Sequence, residues 1–235
     1  LIPKKTSYGN LLKLCMMQTV IQYFFFYIGL AHTSGVKGSI ITGTNTLLSI
    51  LIASLLFRQE KLTAAKLFGC AAGLFGVLLA NWSGGSIDFS FSLQGEGFVF
   101  LSALSYAFSS VYIKKYSAQE DPVVLSGYQF FLGGLILVVA GLSMGGRIHG
   151  FTPPAAAMLL YLAFLSAIAY SLWGILLKYN PVSKVTIYGF MNPVIGVLLS
   201  ALFLGEGGQA FQAQNILALL FVSLGIFIVN KWSSR

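Results

Sequence analysis

The sequence is poor in charged residues. Asp, Glu, Lys and Arg make up 9% of its 235 residues, whereas a soluble globular domain carries roughly 25%. Hydrophobic residues make up 57%, and they occur in long blocks separated by the few charges. Because a helix that crosses a bilayer needs about 20 consecutive apolar residues, this pattern excludes an ordinary soluble domain. It predicts an all-α integral membrane protein.

Reactive and metal-binding side chains are also scarce. The two cysteines, Cys15 and Cys70, lie inside apolar runs, so we expect buried small side chains and no disulfide framework. His32 and His149 are far apart and belong to no cluster of His, Cys and carboxylates. An intramembrane enzyme would need a nucleophile facing a base, and the sequence offers no such pair. We therefore expect no enzymatic activity, no catalytic residue, no metal site and no cofactor.

Eight apolar runs are long enough to cross a bilayer. Glycine, serine, asparagine and proline separate them, as expected for loops between membrane helices. The predicted spans are Leu11–Leu30, Ser39–Phe57, Leu62–Trp82, Gly97–Ile113, Pro122–Met144, Pro154–Leu177, Val185–Leu204 and Phe211–Val229.

The cations orient these spans. Lys and Arg accumulate in short cytoplasmic loops, and if Leu1 is cytoplasmic only Lys37 and Arg147 of the 14 cations lie on the outer side. The formal charge of +8 then reflects membrane topology, and we expect no nucleic-acid partner. The C-terminus is predicted to be cytoplasmic as well. The cations assigned to the cytoplasmic side are Lys4, Lys5, Lys13, Arg58, Lys61, Lys66, Lys114, Lys115, Lys178, Lys184, Lys231 and Arg235.

An internal repeat relates the first three spans to the last three. Residues 36–60 align with residues 182–206 at an offset of 146, and GVLLAN at Gly76–Asn81 aligns with GIFIVN at Gly225–Asn230 after a three-residue shift. Five spans separate equivalent positions, so the two copies run in opposite directions through the membrane. Inverted repeats are typical of secondary transporters, which hold a substrate site near the membrane midplane.

These segments resemble the EamA-type transporters of the drug/metabolite transporter superfamily. The resemblance rests on SGVKGSIITGTNTLLSILIASLLFRQEKLTAAKLFGCAAGLFGVLLAN, on its partner NPVSKVTIYGFMNPVIGVLLSALFLGEGGQAFQAQNILALLFVSLGIFIVN, and on GEGFVFLSALSYAFSSVYIKKY. It implies ten helices in two five-helix repeats, of which this chain would hold eight, because the first two precede Leu1. The expected domains are residues 1–89, with three helices of the first repeat, and residues 90–235, the second repeat. The resemblance also implies a plasma (bacterial inner) membrane location.

Polar side chains recur at helical spacing inside the spans. A polar group facing lipid is costly, so each should face protein or a wet cavity. Single serines and threonines are interpreted as helix-packing groups, whereas the larger donors, acceptors and aromatic faces are equally compatible with packing and with a central substrate cavity. The cavity candidates are Gln22, Asn45, Tyr106, Gln129, Tyr170, Trp173, Tyr188 and Asn192.

The predicted function is a secondary transporter that exports small neutral, zwitterionic or amphipathic metabolites, such as amino acids, by alternating access. Charged residues are absent from the deep parts of the predicted spans, which disfavours a strongly charged substrate held by a counter-charge. Its expected partners are a small-molecule substrate and membrane lipids. The alternative is a membrane assembly or lipid-handling subunit without solute transport of its own. The GCAAG motif at Gly69–Gly73 is expected to pack against another helix of the chain, with a homodimer interface as the alternative.

Two carboxylates end equivalent apolar runs, Glu60 and Glu206. Each is predicted to be a structural turn residue whose carboxylate meets the free N–H groups at the start of the following helix. The nearby Lys66 is expected to extend its side chain toward the membrane surface.

Overall fold

The computed structural model describes residues 3–4, 7–33, 35–80, 91–147, 151–192, 195 and 213–232, and within these ranges it contains helices and no β-strand. We number the helices in chain order and combine contiguous helical segments. They are α1 (Tyr8–Ala31), α2 (Gly35–Leu51, continued by Ile52–Leu56), α3 (Ala64–Ala80), α4 (Leu93–Tyr116), α5 (Pro122–Ser143), α6 (Pro153–Tyr179), α7 (Val182–Thr186, continued by Ile187–Phe190) and α8 (Ala213–Trp232).

Local sequence signals set several helix starts. The Asp121 carboxylate accepts from the Val123 N–H at 2.7 Å, directly before Pro122 at the first position of α5. Thr152 caps α6 in the same way, with Pro153 following it. A side-chain oxygen satisfies a backbone donor that has no partner within the helix, and proline is tolerated there because its missing N–H is not needed.

Among the described residues, α1, α4, α5 and α6 are long and apolar enough to cross a membrane, and three shorter apolar helices accompany them. The prediction of an all-helical membrane fold is confirmed. The seventh predicted span begins differently, because α7 passes into a tight 3-10 turn at Ile187–Phe190. Residues 196–204, Glu206 and the predicted domain boundary at residues 89 and 90 lie outside the described residues, so the count of eight spans stays a prediction.

Helices α3 and α8 pack with their backbones in close contact. A Cβ built on Gly69 would lie 2.9 Å from the carbonyl oxygen of Gly225, and one built on Gly76 would lie 2.8 Å from the carbonyl oxygen of Ala218. Numbers rise along α3 as they fall along α8, so the two helices are antiparallel. The last glycine of the GCAAG motif, Gly73, lies against the Phe190 ring. The prediction that the GCAAG motif packs within the chain is confirmed.

Loops and helix ends that carry most of the cations meet at one end of the bundle, which we call the cationic end. Lys4 Nζ donates to the Gln119 carbonyl at 3.3 Å, and Lys114 Nζ donates to the Asn180 carbonyl at 2.6 Å. The opposite end brings Thr33 to Glu96, with the Thr33 hydroxyl donating to the carboxylate at 2.5 Å. The loops that the charge pattern assigned to one side of the membrane therefore lie together.

One long helix is largely uncovered. In α6 almost every residue from 153 to 169 is exposed, whereas Gly174 and Leu177 near its end are buried against the bundle. The exposed side chains are apolar, so this part of α6 presents a surface suited to lipid or to another apolar helix.

Candidate functional site

Six side chains from four helices form a continuous group, which we call the central cluster: Gln22, Tyr23, Tyr106, Phe130, Tyr170 and Trp173. The Tyr23 and Tyr170 hydroxyls are 2.8 Å apart, and the Gln22 side chain lies close to the Tyr170 hydroxyl. The Phe130 ring meets the Tyr170 ring edge-on, with centroids 4.6 Å apart. The Tyr106 and Trp173 rings are 6.2 Å apart.

The helices place this cluster away from both ends of the bundle. Tyr170 and Trp173 lie three residues apart on α6, so one helix face joins the two pairs of rings. Each member lies at least six residues, or about 9 Å at 1.5 Å per residue, from the ends of its helix. A π-helical segment, Cys15–Ile21, directly precedes Gln22 in α1. Such segments are rare in proteins, and those that occur often lie at functional sites.

A pair of glutamine amides lies beside the cluster. Gln129 Nε2 donates to Gln18 Oε1, and both side chains are fully buried. The hydroxyl of Thr19, the residue after Gln18, donates to the backbone carbonyl oxygen of Gln129 at 3.4 Å. A Cβ built on Gly133 would lie 2.5 Å from the Thr19 Cβ, so α1 and α5 approach closely at this level. Their contact fixes where the two amides meet.

Several buried polar atoms near this level have no hydrogen-bond partner among the described residues. The hydrocarbon core of a membrane holds no bulk water to replace a missing partner, so such atoms are costly unless a ligand or an enclosed water molecule binds them. They suggest a site that a polar ligand or water completes. The atoms in and beside the central cluster are Gln18 Nε2, Gln22 Oε1, Gln129 Oε1 and Trp173 Nε1. Helix α2 and the loop after it add Asn45 Oδ1, Ser49 Oγ, Ser54 Oγ and Gln59 Oε1.

The structure brings together part of the predicted site. Gln22, Tyr106, Tyr170 and Trp173 lie in the central cluster, and Gln129 lies beside it, bonded to Gln18, which precedes Gln22 by about one helical turn. Asn45 lies on α2, which packs against α4, and its carbonyl is buried.

Two predicted residues lie elsewhere in the described part of the chain. Tyr188 is 52% exposed, and its hydroxyl accepts from Asn230 Nδ2 at 3.4 Å, while Asn192 is exposed on the same segment. No described contact joins either of them to the central cluster.

Three residues of this region were not among the predicted candidates: Gln18, Tyr23 and Phe130. Gln18 precedes Gln22 by four residues, and this spacing could have identified it, because residues four apart share a helix face. Tyr23 and Phe130 belong to apolar aromatic runs, QYFFFY and QFF, in which no residue stands out. Only the packing of α1, α5 and α6 distinguishes them from lipid-facing rings.

A charged group, which we call the Glu60 cluster, lies at the cationic end. It consists of Glu60, Lys66 and Ser183. The Lys66 ammonium lies 3.1 Å from Glu60 Oε2 and also donates to the Lys61 carbonyl at 2.5 Å. Ser183 donates to the same carboxylate twice, from its N–H at 3.0 Å and from its hydroxyl at 2.6 Å. The cluster therefore connects the α2–α3 loop to the start of α7.

This geometry corrects two predictions. The Glu60 carboxylate does not accept from the free N–H groups at the start of α3, where the Thr63 hydroxyl accepts from the Lys66 N–H at 3.4 Å. Glu60 instead caps α7, which lies more than 100 residues further along the chain. Lys66 does not reach the membrane surface either: it is 2% exposed, because its ammonium turns inward to Glu60. The predicted counterpart, Glu206, lies outside the described residues.

The opposite end holds a similar but smaller contact. The Glu96 carboxylate accepts from the Ser92 N–H at 2.7 Å and lies 3.6 Å from the Lys37 ammonium. The described residues contain no group of three or more His, Cys, Asp or Glu side chains that could hold a metal ion.

Comparison with known proteins gives a consistent result. A model of the EamA-like transporter family matches residues 1–82 and 93–231. A WAT1-related chloroplastic protein of Arabidopsis thaliana is 26% identical over 215 residues, which cover 88% of this chain and 51% of that protein. The uncharacterized transporter YyaM of Bacillus subtilis is 25% identical over 211 residues, which cover 87% of this chain and 67% of YyaM.

The fold also matches a solved structure. A protein of known crystal structure superposes with a TM-score of 0.82 at 18% identity, over 98% of this chain and 79% of that one. The chain spans about half the length of the Arabidopsis relative.

Proposed function

This chain belongs to the EamA-like transporter family, and we propose that it is a secondary transporter that exports small neutral, zwitterionic or amphipathic metabolites, such as amino acids. The observation that carries the proposal is the set of buried polar atoms without partners in and beside the central cluster. A substrate that passes this level completes those hydrogen bonds. Names of relatives, such as the uncharacterized transporter of Bacillus subtilis, support transport over the lipid-handling alternative.

The chemistry of the central cluster supports an uncharged or internally balanced substrate. Its members are one amide, three phenols, an indole and a phenyl ring, none of which carries charge at neutral pH. Aromatic faces bind apolar or cationic parts of a ligand, and the amides supply hydrogen bonds. A strongly anionic substrate would meet no cation in this cluster. We propose facilitated or exchange-driven transport, since the cluster supplies no group that titrates near neutral pH.

The contact between α3 and α8 supports alternating access between inverted repeats. At the offset of 149 that aligns GVLLAN with GIFIVN, Gly69 corresponds to Ala218 and Gly76 to Gly225. When each residue is replaced by its equivalent in the other repeat, the Gly69–Gly225 contact becomes the Ala218–Gly76 contact. Both contacts are observed. Two antiparallel helices related in this way lie about a pseudo-two-fold axis in the membrane plane, which is the symmetry of an inverted repeat.

The uncovered part of α6 supports the ten-helix interpretation. In the repeat, α6 corresponds to α1, and α1 packs against α4 and α5. The helices equivalent to α4 and α5 in the first repeat would cover the corresponding face of α6, which is exposed. We place the cationic end in the cytoplasm of a plasma (bacterial inner) membrane, with residue 1 and the C-terminus on that side, because twelve of the 14 cations are assigned there.

Transport in proteoliposomes tests the proposal. The purified protein is reconstituted and supplied with labelled amino acids and other small metabolites. We expect saturable uptake or counterflow of at least one solute, reduced about tenfold or more by Asn45→Ala and by Gln129→Ala. Gln119→Ala is the matched control, because Gln119 is exposed in the α4–α5 loop.

Two results would count against the proposal. Uptake that is unchanged by both variants would show that the unpartnered polar atoms of Asn45 and Gln129 do not contact the transported solute. If the protein moved no solute but accelerated the loss of fluorescence when a reductant is added to liposomes with labelled lipids, the lipid-handling alternative would be correct.

A further inference from the structure

The hydrogen bond between Gln18 and Gln129 leaves one amide NH₂ group and one amide carbonyl without a partner in the described part of the chain. A primary amide has an NH₂ donor and a carbonyl acceptor, and the single bond from Gln129 Nε2 to Gln18 Oε1 uses one of each. Gln18 Nε2 and Gln129 Oε1 then have no partner among the described residues. The pair therefore offers one donor and one acceptor to whatever lies beside it.

The presence of one free donor and one free acceptor does not depend on which amide atom is assigned as oxygen and which as nitrogen. Amide oxygen and nitrogen are assigned from the hydrogen-bond network. If both amides were turned over, Gln18 would donate to Gln129, and one acceptor and one donor would again be free. The combination is thus a property of the two side chains and of the single bond between them.

The position of the pair is fixed by packing. Both glutamines are 0% exposed, and the Thr19–Gly133 contact holds α1 against α5 at the same level. Gln22 lies four residues after Gln18, and its side chain is close to the Tyr170 hydroxyl. Phe130 follows Gln129 and packs on the Tyr170 ring. An amide pair with a free donor and a free acceptor therefore adjoins an aromatic wall.

We propose that the Gln18–Gln129 pair determines specificity by recognising a neutral, planar amide-type group, such as a carboxamide or a lactam, on a ligand whose apolar body lies against Tyr170 and Phe130. Such a group presents an acceptor for the free NH₂ and a donor for the free carbonyl. A ketone of the same shape satisfies only one of the two. A carboxylate has no donor, and its charge meets no cation in the central cluster. This inference rests on the proposed transport function.

Binding of three isosteric probes to the full-length protein in detergent micelles tests the pair. The probes are nicotinamide, 3-acetylpyridine and nicotinate, which share a ring and differ in the group that it carries. By calorimetry we expect nicotinamide to bind about tenfold more tightly than 3-acetylpyridine, as one additional hydrogen bond in a buried site allows. Nicotinate should bind more weakly than either.

Variants connect this preference to the pair. Gln129→Leu and the double variant Gln18→Leu, Gln129→Leu should bring the nicotinamide to 3-acetylpyridine ratio close to one. The double variant guards against misfolding, because replacing both hydrogen-bond partners by apolar groups of similar size is nearly neutral for stability. Gln119→Leu, in an exposed loop, should keep the tenfold ratio.

The inference would be overturned if nicotinamide did not bind, or if the ratio were unchanged in the double variant, since the glutamines would then only join two helices. Failure of the amide preference can be distinguished from failure of the proposed transport function. Saturable solute transport with an unchanged ratio would reject the amide preference and keep the transporter, whereas absence of all solute transport would reject the transporter itself.

Discussion

The Glu60 cluster and the central cluster both hold polar side chains away from water, but they differ in how their hydrogen bonds are satisfied. The Glu60 carboxylate has Lys66 and both Ser183 donors within 3.1 Å. The central cluster and its glutamine neighbours leave several donors and acceptors without partners. A fully satisfied buried network is rigid, whereas a partly satisfied one is costly until something completes it.

The difference indicates distinct roles. The Glu60 cluster joins segments more than 100 residues apart at the cationic end, so its bonds stabilise one arrangement of the helices. The central cluster lies among four helices and carries no charge, so a passing neutral molecule can use its free groups without separating an ion pair. Stability and transport should therefore respond in opposite ways to substitutions in the two regions.

Removing one charge from the Glu60 cluster should have the largest effect on stability. Lys66→Met leaves a largely buried Glu60 carboxylate without its cation, and breaking a buried pair in this way costs about 3–5 kcal/mol. Unfolding of the purified protein in detergent micelles measures the loss. In a Cys15→Ser background, faster maleimide labelling of Cys70, which is 1% exposed and four residues after Lys66, would report the same opening.

The double variant Glu60→Gln, Lys66→Met is the sharper control for this pair. Because it removes both charges, we expect it to recover most of the stability that Lys66→Met loses. Lys13→Met, at an exposed position of α1, should have little effect. If Lys66→Met unfolded at the same denaturant concentration as the unaltered protein, the Glu60 cluster would not be a stabilising contact.

Asn45→Leu should affect transport and leave stability nearly unchanged. The Asn45 carbonyl is buried without a partner, so removing it relieves a cost and loses no intramolecular bond of that oxygen. We expect transport of an identified solute to fall about tenfold, while the unfolding midpoint stays the same or rises. The control is Thr44→Val, since the Thr44 hydroxyl is satisfied within its own helix by the Ile41 carbonyl at 2.6 Å. Equal loss of transport in both variants would place the effect in α2 as a whole.

Hydropathy and charge predict much of this fold because both follow from the membrane itself. A bilayer fixes the length of an apolar helix, and the loops that the cation pattern grouped together, such as those with Lys4 and Lys114, do meet at one end. The GCAAG motif was predicted to pack within the chain for a similarly local reason, since small residues allow close backbone approach.

The errors arise where contacts join distant parts of the chain. Sequence places Glu60 next to the start of α3, and nothing local reveals that α7 offers Ser183 in a better position. The same reason explains why Lys66 was expected at the surface. In the central region, helical spacing identified Gln22 and Gln129, but Tyr23 lies in an aromatic run whose buried and lipid-facing members look alike in sequence.

Tyr170→Phe tests the part of the central cluster that is satisfied. The Tyr170 hydroxyl hydrogen-bonds to the Tyr23 hydroxyl at 2.8 Å. Removing it should cost about 1 kcal/mol, the usual net contribution of a buried hydrogen bond, measured as a lower unfolding midpoint. Tyr179→Phe, on the same helix but 75% exposed, should cost almost nothing. If the two variants were equally stable, the Tyr23–Tyr170 bond would contribute no stability to the cluster.

The smallest effect is expected at Glu120, which is paired like Glu60 but lies near water. The Ser7 hydroxyl donates to its carboxylate at 2.6 Å and the Lys4 N–H donates at 3.0 Å, and these bonds hold the pKa of Glu120 below its usual value. Because folding lowers this pKa, the contribution of the carboxylate is complete above the ordinary glutamate range and is lost as the pH falls through the folded value.

Carbon-13 NMR of glutamate-labelled protein measures this titration, with the Glu120 signal assigned by its loss in Glu120→Gln. We expect that signal to titrate below the usual range and Ser7→Ala to return it toward normal, with little change in the unfolding midpoint at neutral pH. An exposed charge contact contributes little to stability because solvent screens it. A large loss of stability in Ser7→Ala would contradict this. It would show that the difference in burial between Glu120 and Glu60 does not determine how much each carboxylate contributes to stability.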